Sequence, residues 1–209
     1  GETNIMVLYA PEKAAGEDEV RALLKAYAPA INDIKYEEGG WMLRLGSKWF
    51  YWADGRLLPE DRIIHREKYR SYGFYLYPDD LLPVQTNPDK NQLEMIKRYT
   101  DVRKTLPRDN GFLAALYHGG SLNQILGHIS YISFLGYKIE VHDSLIPAYK
   151  AVSREILAEA SVNSNVRQFV DSLESIAGFN WRKIEDSSSR SYHSFGIAVD
   201  LLPKNLGKK

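Results

Sequence analysis

The sequence has no cysteine among its 209 residues. Disulfides, thiolate metal sites and cysteine nucleophiles are therefore excluded. It also lacks net charge, since 27 Lys and Arg balance 27 Asp and Glu. A protein that binds nucleic acid or anionic membrane over its whole surface carries a basic excess, so no nucleic-acid partner is expected, although a local basic patch stays open. No apolar run approaches the roughly 18 residues of a membrane span, and none is expected. Internal repeats, low-complexity tracts and a visible signal peptide are absent too. Gly1 is not a natural start residue. The expectation is a processed or shortened chain from which an export signal has been removed.

What is present suits a globular protein. Hydrophobic residues make up 44% and charged residues 26%, which excludes wholesale disorder. A chain of this length buries roughly 70% of its unfolded surface and needs no disulfide or metal to form a core. It has room for one domain, or for one domain with an N-terminal extension. Tyrosine is abundant, with 14 copies beside 7 Phe and 4 Trp. These aromatics gather in Trp41–Trp52 and Tyr69–Tyr77. They suit strand packing, and they also suit a groove for glycan or peptide.

Periodicity orders the chain. Val20, Leu23, Leu24 and Tyr27 have helical spacing behind an acidic first turn, and Pro29 marks the end. Gly46-Ser47 and Asp54-Gly55 read as turns between strands. Residues 78–90, with three prolines, read as a loop, and 91–104 as a helix. After a break at Asp109-Asn110-Gly111, helices are expected at 121–135, 146–160 and 163–176. Gly178 is expected to cap the last of these. Strands are expected at 137–141, 179–184 and 196–202. The expected organisation is α+β. An aromatic-rich α+β N-terminal region occupies 1–110, and a second domain with a small antiparallel sheet and flanking helices occupies 111–209.

The segment richest in chemistry is Ser191-Tyr-His-Ser-Phe-Gly-Ile-Ala-Val-Asp200. Read as a strand from 196, it turns Ile197, Val199 and Leu201 to a core and Gly196, Ala198 and Asp200 to the other face. Two small residues beside a carboxylate leave space for something else, and a metal ion with a bound substrate fits. His193 precedes this strand at a turn that Gly196 permits. His193 and Asp200 then supply one nitrogen and one oxygen donor, a mixture that zinc accepts. The plain structural alternative makes Asp200 a loop cap and His193 a surface residue.

The spacing Ser191-x-His193-x-x-Gly196-x-Ala198-x-Asp200 resembles the signature of the LAS metallopeptidases. These comprise lysostaphin-type enzymes, D-Ala-D-Ala metallopeptidases and sonic hedgehog. Upstream, Gly178-Phe-Asn-Trp-Arg182 is similar to the Gly-aromatic-x-x-Arg strand of the VanY-like D-alanyl-D-alanine carboxypeptidases and the related phage L-alanyl-D-glutamate endopeptidases. Pro203 fits as well. The resemblance is specific over about 176–203 and says nothing of 1–110. It implies a hedgehog/DD-peptidase fold and zinc-dependent hydrolysis of peptidoglycan stem peptides in the periplasm or outside the cell. His193 and Asp200 would be two of three zinc ligands, and Arg182 would contact the substrate carboxylate or carbonyl. A guanidinium holds a carboxylate with two parallel hydrogen bonds and can stabilise oxyanion charge. Alternatively, Arg182 pairs with Glu185 or Asp186. Ser191 is expected to orient the loop through its hydroxyl near the substrate, not to act as a nucleophile.

The family also uses a third ligand, a downstream His, and a Glu general base shortly before it. Neither occurs among the nine residues after Asp200. One expectation is that the chain continues past Lys209 in the whole protein. Another is completion from upstream by His118, His128 or His142; His65 lies among charges and is expected to be solvated. The third is a relative that has lost catalysis and binds peptidoglycan or a partner protein. The oligomeric state is left open.

Overall fold

The computed structural model describes residues 16–38, 40–72, 89–94, 97, 106–182 and 189–204. Two compact units divide the chain, Gly1–Asn87 and Pro88–Lys209. The architecture is α+β, with small antiparallel sheets and several helices.

In the first unit, α1 (Glu17–Tyr27) opens with Glu17, Asp18 and Glu19 and carries Lys25 in its last turn, each sign at the favoured end of the helix dipole. A meander of four antiparallel strands follows: β1 (Ile31–Glu37), β2 (Gly40–Leu45), β3 (Lys48–Ala53) and β4 (Arg56–Leu58). Short α2 (Glu60–Ile63) and a 3₁₀ turn (Arg66–Lys68) follow. The Asp54-Gly55 turn has positive φ at both residues, the hairpin geometry this dipeptide favours. Val20, Ile31, Leu43, Phe50 and Leu57 are buried in the core. Among the aromatics Phe50 is buried, the Arg21 guanidinium sits 5.2 Å from the Trp41 ring and the Lys35 ammonium 4.5 Å from Trp49, while residues 73–77 of the second aromatic cluster lie outside the described residues.

In the second unit, residues 90–94 are helical, while most of the expected loop at 78–90 and the rest of the 91–104 helix lie outside the described residues. Then come α3 (Gly111–Leu116), α4 (Leu122–Leu126), β5 (Ile129–Phe134) and β6 (Tyr137–His142). Next are α5 (Ile146–Val162), α6 (Ser164–Ser172), β7 (Leu173–Ala177) and β8 (Asp200–Pro203). β5 pairs with β6 and β7 with β8, both antiparallel. Ile132, Phe134, Ile139, Val141, Leu173 and Ile176 form the core, with Val199 and Leu201 packed against it.

Five expectations are corrected. The helix expected over 121–135 stops at Leu126, and β5 follows. Its hairpin turns at Leu135-Gly136, with Leu135 in the left-handed region that a leucine seldom adopts. The Leu135 side chain is buried and its N–H donates to Ser153 Oγ at 3.0 Å, so tertiary contacts hold the turn. The helix expected over 163–176 ends at Ser172, because Leu173 and Ile176 are recruited into β7 by pairing with Pro203 and Leu201. Gly178 therefore caps no helix. Its role is close approach, since a Cβ there would lie 2.3 Å from the Glu140 carbonyl oxygen. Lastly, residues 179–182 form no strand, 183–184 lie outside the described residues, and the strand expected from 196 begins only at Asp200.

Candidate metal centre

Between the 178–182 segment and β8, a single 3₁₀ turn (Tyr192–Phe195) carries His193. Ser191 caps it, its Oγ accepting the His193 N–H at 3.3 Å. Gly196 ends it in the left-handed conformation at φ 68°. A Cβ at Gly196 would lie 2.6 Å from the backbone nitrogen of His142, which itself donates to the Gly196 carbonyl at 2.9 Å. Glycine is needed there for both conformation and space.

The 178–182 segment is fastened between β6 and this turn. Phe179 N–H donates to Glu140 O, Asn180 N–H to His193 O, and Ser191 N–H to Arg182 O. Ser194 is fully buried, and its Oγ accepts from the Arg182 N–H at 2.9 Å and donates toward the Arg182 carbonyl at 2.7 Å. Ser194 thus fixes the backbone of Arg182, whose side chain is exposed. Glu185 and Asp186, its alternative partners, lie outside the described residues.

His193 is 7% exposed. Its Nδ1 lies 2.7 Å from the Gly178 carbonyl oxygen. A carbonyl only accepts, so Nδ1 carries the proton and the neutral ring has a bare Nε2. That Nε2 faces Asp200 Oδ2 at 3.2 Å, and the Asp200 side chain is 54% exposed. Two lone-pair atoms at this separation repel unless positive charge joins them, either a second ring proton or a metal ion. Tetrahedral nitrogen and oxygen ligands on zinc, each bonded at about 2.0–2.1 Å, stand about 3.3 Å apart. The donor types, the locked tautomer and the spacing all fit zinc, and the Nδ1–H bond to a backbone carbonyl is the outer support that metal-bound histidines use.

The structure thus brings His193, Asp200, Ser191 and the Arg182 backbone together. It does not bring the other histidines to them: among the described residues, the group of three converging donor side chains is His128, His142 and Asp143. His142 is buried, with Nε2 3.0 Å from the Tyr117 carbonyl and Nδ1 bonded to Ser144, and burial pushes its pKa below the usual histidine value. His65 is solvent-facing, 4.0 Å from Glu67.

Residues that sequence reasoning passed over hold the loop from the other side. The Arg190 guanidinium lies between the rings of Trp181 and Phe195, at 4.5 and 4.2 Å, and donates to the Gly119 carbonyl. Arg108 donates to the Arg190 carbonyl and lies 4.0 Å from the Tyr192 ring. Burial and the like charge of Arg108 lower the Arg190 pKa. The Asn110 side chain accepts from the Arg190 N–H at 3.0 Å. Arg190 and Asn110 are 80 residues apart in sequence, and no local pattern signals such a pair.

Residues 19–74 match the model of a family described as a domain of unknown function (DUF8518). The match lies within the first unit and includes none of the residues of this centre. None of the curated proteins and none of the solved structures matches the chain.

Proposed function

We propose that the second unit is a zinc-dependent peptidase of the hedgehog/DD-peptidase fold, acting on peptidoglycan stem peptides as a D-alanyl-D-alanine carboxypeptidase does. In this reading the protein works in the cell envelope. The observation that carries the reading is the His193–Asp200 pair, with one ring nitrogen protonated against Gly178 and the other aimed at the carboxylate. The signature spacing and the Gly178–Arg182 motif supply the reaction class by resemblance.

Zinc held by His193 and Asp200 would polarise the scissile carbonyl and favour ionisation of a water. The chain's own residues do the rest. Gly178 keeps the His193 tautomer that presents Nε2. Ser191 sets the pitch of the turn with its hydroxyl. Ser194 pins the Arg182 backbone, and the exposed guanidinium reaches out to clamp a terminal carboxylate with paired hydrogen bonds. Zinc catalysis also requires a third ligand and a base.

The test is release of free D-alanine from a stem pentapeptide by zinc-loaded protein, with a chelator control. Chelator-sensitive release supports the reading, and no release overturns the enzymatic part of it. A second reading, a module that binds peptidoglycan or a partner without cleaving it, is favoured by one observation: among the described residues no third donor joins His193 and Asp200. Stem-peptide binding without hydrolysis is its signature.

A further inference from the structure

Three of the five histidines gather at the open end of the β5–β6 hairpin. The Asp143 N–H donates to the His128 carbonyl at 2.8 Å, so the hairpin closes with these two residues opposite one another. His128 Nδ1 and Asp143 Oδ2 are 3.8 Å apart, beyond a hydrogen bond but close enough for one ion to touch both. The His142 ring lies 5.6 Å from that of His128, with planes 9° apart. The donor atoms of all three residues lie within 4.8 Å of one another.

We propose that His128, His142 and Asp143 form a second transition-metal site, separate from the His193–Asp200 pair. It offers two imidazole nitrogens and one carboxylate oxygen, a donor set for Zn2+, Co2+, Ni2+ or Cu2+ and not for Ca2+ or Mg2+. His142 Nε2–H donates to the Tyr117 carbonyl, so Nδ1 bears the lone pair. This is the outer bond that orients a metal-bound histidine. An incoming ion takes Nδ1 from Ser144, whose hydroxyl and N–H hold it at 2.8 and 3.2 Å.

His118 adds an independent sign. It follows α3 with φ 50°, where Gly119 N–H donates to Ala114 O, the bond of a Schellman helix end. Glycine is the ordinary residue at that position. This chain keeps a histidine there instead, and its ring stacks on His128 at 4.8 Å. Through the bond from His142 N–H to the Gly196 carbonyl, the second site shares a backbone with the turn that holds His193.

The proposal stands whether or not the chain is a peptidase. Its test removes the first pair, using the full chain with His193→Ala and Asp200→Ala, and titrates Co2+ by calorimetry and visible absorption. One ion is expected to bind with the bands of nitrogen and oxygen ligation. Adding His128→Ala or Asp143→Asn, both at partly or fully exposed positions that the fold tolerates, is expected to weaken binding at least tenfold. Absence of Co2+ binding in the starting variant overturns the proposal. So does binding that neither addition changes.

Discussion

Nε2 of His193 stands 3.2 Å from Oδ2 of Asp200, while Nδ1 of the same ring donates to the Gly178 carbonyl. One backbone carbonyl thereby decides which nitrogen is offered to a cation. The turn that delivers the ring depends on two glycines that touch β6, Gly178 at Glu140 and Gly196 at His142.

Gly196→Ala is predicted to destabilise the second unit by at least about 2 kcal/mol, from the left-handed φ and the contact with His142 nitrogen together. Urea unfolding measures it. A loss under about 0.5 kcal/mol would show that the turn relaxes freely.

Ser194→Ala removes the hydroxyl of a fully buried residue and leaves the part-buried Arg182 N–H without that partner. A loss of about 1–3 kcal/mol is expected. If Arg182 clamps substrate, KM should rise more than kcat falls. An equal fall of both would place the serine's role elsewhere.

His118→Gly is predicted to stabilise the protein by about 0.5–1 kcal/mol, because it relieves a left-handed histidine at a helix end. The same variant should weaken any ion held by His128 and Asp143. Thermal unfolding with and without Co2+ reads both effects.

His142 sets a pH dependence. Burial holds its folded-state pKa below the ordinary 6.5, and the neighbouring His128 and His118 act in the same sense. Tyr117 and Asp143 oppose them. The unfolded chain therefore binds the proton first. The stability due to neutral His142 is full above pH 6.5 and falls as pH drops through the folded-state pKa. The urea midpoint should fall between about pH 7 and 5, and His142→Gln should flatten that slope. An unchanged slope in the variant would assign the effect to other groups.

Much of this architecture is legible in the sequence where signals are local. The acidic first turn of α1, the Gly46-Ser47 and Asp54-Gly55 turns, β6 and α5 all follow from short-range chemistry. The failures share one physical origin. Leu135 takes a turn conformation because Ser153 and the core hold it there, which no dipeptide preference predicts. Leu173 and Ile176 keep helical spacing with α6 yet join β7 because Pro203 and Leu201 pair with them. At the candidate site, spacing points to His193 and Asp200. The partners that fix them are the Gly178 carbonyl, the Ser194 hydroxyl and the Arg190 guanidinium. They act through backbone contacts and long-range packing that leave no periodic trace.

The most direct test of the central claim is Zn2+ titration by calorimetry in a background lacking the second cluster, His128→Ala with Asp143→Asn. One bound zinc is predicted there, weakened at least about tenfold by adding either His193→Ala or Asp200→Ala. Zinc affinity that is the same with and without these two side chains would contradict the account.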